Sequence, residues 1–264
     1  MRLGFIGCGN MAKAMIGGIL AKGDLKKEEI MASAASEATL RYIREEIGIT
    51  AEKDNAAVAQ WADVLILAIK PVYMEEVIQE IKEKIDDKKL VVTLAPGKTL
   101  SWLEEQFGKK VKLIRTMPNT PAMVGEGMSA LCCSDSVTVE ESSLVKGLFE
   151  SFGKAEIVKE TMMDAVVGVS GSAPAFVFMF MEALADAAVA EGMPRKQAYA
   201  FAAQTVLGSA KLMLETGKHP GELKDMVTSP AGTTIEGVAV LEKGAFRSTV
   251  IEAVRAAADK SRRM

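Results

Sequence analysis

The chain has 264 residues, 49% hydrophobic and 25% charged, with a net charge of −3 and a single histidine. These proportions suit a globular protein of one large or two ordinary domains, and the lack of a sizeable basic block argues against nucleic acid as the main partner. Three cysteines, two of them adjacent, suggest no disulfide framework, so a reducing cytoplasm is the expected setting.

The first half alternates short β-rich runs with helical stretches. "RLGFIG" reads as a buried strand from Arg2, so no signal peptide is expected ahead of it. "NMAKAMIGGILAKG" reads as a helix that ends at Gly23, and "EIMAS" as a second strand. "ADVLILAIKP" is a buried strand stopped by Pro71. "KLVVTLAPG" and "KVKLIRTMPNTP" repeat that form, an apolar strand followed by a turn rich in Pro, Gly, Asn or Thr. "GMSALCCS" and "AEIVKE" follow as later strands around a helix at about 139 to 152. This order predicts an α/β fold, a doubly wound, mostly parallel sheet of the Rossmann type with helices on both faces.

From residue 160 the strand runs stop. Six helical segments follow, punctuated by Gly and Pro, with Pro194 and Pro220 expected in first helical turns. The predicted domains are 1–159, dinucleotide-binding, and 160–264, all-helical. "APAFVFMFMEALADAAVA" is interrupted by Glu182 and Asp186, and reads as a buried helix rather than a membrane span. The 16 methionines exceed ordinary usage and are expected mainly as core filler.

Gly7, Cys8, Gly9, Asn10, Met11 and Ala12 form a G-x-G-x-x-A turn with a strand before it and a helix after it. That context points to a dinucleotide. Gly7 permits the turn, Gly9 lets a pyrophosphate approach the backbone, and the helix N-terminus offers free N–H groups. The second strand ends in Ser33, Ala34, Ala35 and Ser36, with no carboxylate to repel a 2′-phosphate. That favours NADPH with NADH possible, although no arginine stands nearer than Arg41, and Ser36 could equally be a helix cap. Ligands of such sheets bind beyond the carboxyl ends of the strands. That rule gathers Ala68, Lys70, Pro71, Ala95 and Asn119 as further candidate cofactor contacts, and Asn55 joins them. No metal site is expected.

The chain resembles pyrroline-5-carboxylate reductase over essentially its whole length. The marks are "FIGCGNMA", "AIKP", "MPNTP", "GVSGSAPAF" and, most specific, "HPGELKDMVTSPAGTTIEGVAVLE". In the last block Pro220, Leu223, Val227, Ser229, Gly232, Thr234 and Gly237 stand in matching places. The resemblance implies NAD(P)H-dependent reduction of a cyclic imine to L-proline, the last step of proline biosynthesis. It also implies a helical second domain that dimerises by intertwining, with the substrate at the junction. It makes Thr234 the candidate catalytic residue, bonding the substrate ring nitrogen, and Ser229, Gly232, Thr233 and Thr234 the candidate substrate contacts. Ser229, Thr233 and Thr234 could instead cap helices, and His219 reads as structural. Ser170 and Ser172 are expected as caps of the long apolar helix, with a substrate role as the alternative.

Two rivals carry less. A β-hydroxyacid dehydrogenase of the 3-hydroxyisobutyrate type expects a catalytic lysine on the interdomain helix, and none lies between Lys159 and Lys196. A non-catalytic NADP-sensing protein would have no need of the intact 220-to-242 block.

Overall fold

A computed structural model describes residues 1–94 and 96–264. Chain packing divides them into two compact units, one of residues 1–171 with 257–264, the other of residues 172–256.

Unit 1 is built on eight strands. They are β1 (Leu3–Ile6), β2 (Ile30–Ser33), β3 (Thr50–Glu52), β4 (Val64–Leu67), β5 (Leu90–Thr93), β6 (Lys112–Met117), β7 (Gly127–Cys133) and β8 (Gly153–Ile157). They form one sheet in the order β3-β2-β1-β4-β5-β6-β7-β8, parallel throughout except for the antiparallel β6–β7 pair. The central strands are buried on both faces, as all of β1, β4 and β5 are. That is why they read as unbroken apolar runs rather than alternating ones.

Helices α1 (Asn10–Lys22), α2 (Glu37–Tyr42), α3 (Asn55–Trp61), α4 (Met74–Ile81), α5 (Leu100–Phe107) and α6 (Val139–Phe149) cover the two faces. One apolar cluster lies under α1 and α6 and includes Phe5, Met15, Ile66, Leu131 and Phe149. The other lies under α3, α4 and α5 and includes Leu65, Val77, Ile78, Leu103 and Leu113. The helix ends follow capping chemistry. Gly23 closes α1 in the left-handed conformation, and Thr138 with Glu141 opens α6 with a capping box.

The sheet unit extends beyond its last strand. The short helix α7 (Met163–Val166) buries Met163 against Ala130 and Cys132. The final residues return to the same unit, where Ser261 donates to Asp164 at 2.7 Å. Compact packing divides at 171/172, twelve residues beyond the 159/160 position where the strand runs end. A π-helical run, Val167–Ser172, leads up to that division.

Unit 2 contains α8 (Ala173–Ala190), α9 (Arg195–Thr216), α10 (Pro220–Met226), α11 (Thr233–Lys243) and most of α12 (Phe246–Arg262). Pro220 is the first residue of α10 as expected, whereas Pro194 precedes α9 as its cap. Among the described residues the buried apolar cluster of this unit is Ala185, Ala198 and Ala202. Two expectations are corrected here. Helix α8 is not buried within the chain, with Phe178 at 63% and Met179 at 68% exposure. The methionines are not mainly core filler, since only Met15, Met74 and Met163 are fully buried and seven are exposed. The run Glu160–Ala190 passes a length-and-composition test for a membrane span, with mean hydropathy 1.6. Apolar composition alone does not distinguish a membrane, a core or a second protein surface as its cover.

Candidate functional site

The first set of site residues lies where β1 turns into α1. Gly7 has φ +89° and donates its N–H to the Ser33 carbonyl at 3.1 Å, tying the turn to the tip of β2. A Cβ there would stand 2.6 Å from the Ala68 carbonyl oxygen. Gly7 is thus demanded twice, by conformation and by space. Gly9 differs, because a Cβ added to it would meet nothing within 4 Å. Its side faces open space beyond the strand ends, where a pyrophosphate needs room.

Helix α1 begins next to that space at Asn10, with no side-chain cap and no acid in its first turn. Its first N–H groups and its positive dipole end are left for an anion. This fits a dinucleotide phosphate group on residues of this chain alone. Asn10 and Met11 open the helix, while Cys8 is buried at the turn. Burial pushes the Cys8 thiol up, with Lys13 pulling it the other way. The Cys132 thiol is pushed up to about 11 by burial and by Glu160, which disfavours its thiolate at neutral pH.

Sequence reasoning missed one neighbour of this turn. The Lys13 ammonium sits 3.8 Å from the centre of the Tyr42 ring. Asn10, Lys13, Ala14, Tyr42 and Met123 line a cavity of about 380 Å³. Lys13 stands three residues after Asn10 on the same helix face, but only the fold brings Tyr42 to it.

The tip of β2 departs from expectation. Ser33 is fully buried and donates its hydroxyl to Asn55 Oδ1 at 2.7 Å. Asn55 in turn donates from Nδ2 to the Glu80 carboxylate at 2.7 Å. Ser36 caps α2, accepting from the Thr39 N–H at 3.2 Å and sharing a hydrogen bond with the Thr39 hydroxyl. Ser33 is thus not a free donor waiting for a phosphate, and Ser36 is engaged as a helix cap. Ala34 is also buried, which leaves Ala35 as the exposed position between them.

Lys70 is exposed after β4, and Pro71 opens a short turn of 3₁₀ helix beside it. Asn119 is held from both sides. Its Oδ1 accepts from the Met128 N–H at 2.8 Å, and its Nδ2 donates to the Ser170 carbonyl and hydroxyl, each at 3.2 Å. Ser170 is thereby a partner of Asn119, and Ser172 precedes α8 without a side-chain cap bond. Ala95 lies outside the described residues.

The second set of site residues lies in unit 2. Residues 227–232 connect α10 to α11, and Gly232 is the cap of α11. Thr233 and Thr234 are the first two residues of that helix, both exposed, and no side chain caps its N-terminus. The threonines therefore do not serve as caps, and neither does Ser229 for this helix. Ala231 has φ +56°, a strained choice for a residue with a side chain. Gly232 packs closely on Ser229, so that a Cβ there would stand 2.3 Å from the Ser229 hydroxyl oxygen and 3.2 Å from its carbonyl oxygen, and would push that side chain aside. The result is a tight turn that presents free N–H groups and two hydroxyls together, a combination suited to a small carboxylate. His219 is structural, its Nδ1 accepting from the Gly221 N–H at 3.1 Å. Glu222 pairs with Lys218 at 2.7 Å.

Residues 160–264 match a family model described as pyrroline-5-carboxylate reductase dimerisation. Residues 2–97 match one described as NADP oxidoreductase, coenzyme F420-dependent. The chain is 49% identical over 263 residues to the pyrroline-5-carboxylate reductase of Escherichia coli K12, covering 100% of this chain and 98% of that one. A structure of a pyrroline-5-carboxylate reductase from Coxiella burnetii is similar with TM-score 0.93 and 34% identity, covering 99% of this chain and 97% of that one. The Plasmodium falciparum pyrroline carboxylate reductase with NADP bound is similar with TM-score 0.90 and 33% identity, at the same coverage of both chains.

Proposed function

The chain belongs to the pyrroline-5-carboxylate reductase family, and from that premise we propose how its residues divide the work. The reaction is the reduction of 1-pyrroline-5-carboxylate to L-proline with NADPH, the last step of proline biosynthesis. The observation that carries it is the 49% identity extending over the whole chain, both units included. The match through 160–264 leaves the β-hydroxyacid dehydrogenase and the NADP sensor without support.

Reduced nicotinamide, when bound, supplies the hydride. The chain's own residues hold and orient. Gly7 and Gly9 keep the turn tight and clear, and the bare N-terminus of α1 receives the phosphates. Cys8, Asn10, Met11, Ala68, Lys70, Pro71 and Asn119 line the rest of the crevice beyond β1, β4 and β6. In unit 2 the N–H groups at the start of α11 receive the substrate carboxylate, with Ser229, Gly232 and Thr233 shaping the turn. Thr234 holds the ring nitrogen with its hydroxyl as charge changes there. The imine can arrive already protonated, so no strong general acid is required. This agrees with a single histidine engaged as a helix cap.

Residues 160–264 form the substrate and self-association region in this reading. A second copy covers the apolar faces of α8 and α9 by intertwining. That assigns the apolar run Glu160–Ala190 to an interface rather than to a membrane. A cytoplasmic location fits three cysteines that are all free thiols.

The test is NADPH consumption with pyrroline-5-carboxylate and identification of proline as product. Turnover with a hydroxyacid and none with this imine would overturn the reading.

A further inference from the structure

The loop after β2 carries no acid at positions 34 to 36, yet a carboxylate reaches this strand tip from elsewhere. Glu80 lies two turns into α4 and accepts from Asn55 Nδ2 at 2.7 Å. Asn55 Oδ1 accepts from the buried Ser33 hydroxyl at 2.7 Å. An ionised carboxylate only accepts, so it fixes which end of the Asn55 amide faces it. The amide oxygen must then face Ser33, and the Ser33 hydrogen is committed inward. Two other acids near the strand tip, Glu52 and Asp54, are directed to backbone N–H groups, whereas Glu75 and Glu76 line a cavity beside Glu80. Glu52 accepts from the N–H groups of Lys53 and Asp54, and Asp54 accepts from the Ala56 N–H. Arg44, one basic group on α2's side, is already paired with Glu37.

We propose that Glu80 is a specificity-determining residue for the nicotinamide cofactor. From α4 it supplies, through Asn55, the negative charge that the β2 loop lacks. It weighs against the 2′-phosphate of NADPH and so narrows the preference over NADH. This inference rests on the reading of the crevice beyond β1 and β2 as the nucleotide site.

The test is Glu80→Gln, which keeps an acceptor for Asn55 and removes the charge. Binding of NADP⁺ and NAD⁺ is measured by calorimetry on the unreacted enzyme, alongside kcat/KM for both reduced cofactors. The ratio in favour of the phosphorylated cofactor is expected to rise about two- to fivefold in both measurements, and the gain should shrink at high salt. Glu75→Gln is the control, an exposed acid on the same helix that has no bond to Asn55. An unchanged ratio in Glu80→Gln, or an equal rise in Glu75→Gln, would overturn the proposal. Gly9→Val separates this failure from failure of the site itself, because the Cβ added there meets no protein atom within 4 Å, and retained fold is checked by circular dichroism. Retained nucleotide affinity in Gly9→Val would sink the crevice reading. Lost affinity there, with no shift from Glu80→Gln, would sink the role of Glu80 alone.

Discussion

Unit 1 and unit 2 meet the same physical demand in opposite ways. Unit 1 encloses its own apolar side chains in two clusters, one on each face of its sheet. Unit 2 buries three alanines and leaves Phe178, Phe201, Leu207 and Leu214 more than half exposed. Burial of apolar area contributes about 25 cal/mol per Å², and exposed patches on this scale mark interaction surfaces. A unit that buries so little by itself depends on a second surface, whereas the sheet unit does not. The difference also separates the kinds of chemistry. The proposed nucleotide crevice stands on the sheet of unit 1, and the proposed substrate turn belongs to the unit with the uncovered apolar faces.

The sharpest way to break this comparison is a charge on the exposed face of α8. Phe178→Asp is expected to turn the dimer into monomer or aggregate, and to cut activity by about 10²-fold or more at micromolar concentration. Analytical ultracentrifugation beside an activity assay checks it, and a fully active monomer would refute the dependence. In the unaltered protein, the unfolding temperature should rise with protein concentration.

The next effect lies inside unit 2 and concerns rate alone. Thr234→Ala should lower kcat by about 10 to 10³-fold, the range for one well-placed polar partner of a transition state. Since no side chain caps α11, its stability cost should stay within about 0.5 kcal/mol. Thr233→Ala is the matched control. Equal kinetics for the two variants would remove the special role of Thr234.

A third test addresses unit 1 and should leave dimerisation untouched. Ser36→Asp preserves a cap for α2, because aspartate also accepts from the Thr39 N–H. It places an exposed carboxylate at the end of β2. The kcat/KM ratio of NADPH to NADH should fall about tenfold, the scale of one charge acting close to a phosphate. A ratio that stays put would show that the 2′-phosphate is held elsewhere.

The smallest effect is local stability in unit 1. Arg2 pairs with Asp63 at 2.8 Å, and the backbone N–H of Arg2 also donates to Asp63 at 2.8 Å. The Arg2 side-chain hydrogen bond holds the Asp63 carboxyl below its ordinary value. A depressed carboxyl stabilises the fold above its unfolded-state value, and that contribution is lost as pH falls through the folded one. Asp63→Asn should therefore cost no more than about 1 kcal/mol near neutrality, because the pair is half exposed. The difference from the unaltered protein should vanish in strong acid. Unlike the first test, this loss should not depend on protein concentration.

Much of unit 1 was legible in the sequence because buried parallel strands are continuous apolar runs, and glycines mark the turn that needs them. The edge strand β3 was not, since three residues, Thr50 to Glu52, make no apolar run. Nor was the reversal between β6 and β7, because the turn residues of 118–126 suit either strand direction. The six helical segments after residue 160 were read correctly from their punctuation. Their exposure was not, because the same apolar composition serves a core and an interface alike. The 159/160 boundary marks where strands stop, while packing carries α7 and Met163 with the sheet. At the candidate site the β1–α1 turn could be read from residue types. The engagement of Ser33 with Asn55, and of Lys13 with Tyr42, depends on side chains from distant elements meeting in space.

The last eight residues of α12 and beyond belong to unit 1 although unit 2 precedes them in the chain. A ribosome therefore delivers this piece of unit 1 only after the whole of unit 2. Asp164 emerges 97 residues ahead of its partner Ser261. Domains generally fold as they emerge, the N-terminal one first, but here the earlier unit cannot be finished until the later one has been made. The nascent sheet must wait through the synthesis of α8 to α11 and most of α12 before this contact is in place. A chain that stops near residue 256 would thus lack the segment that closes unit 1.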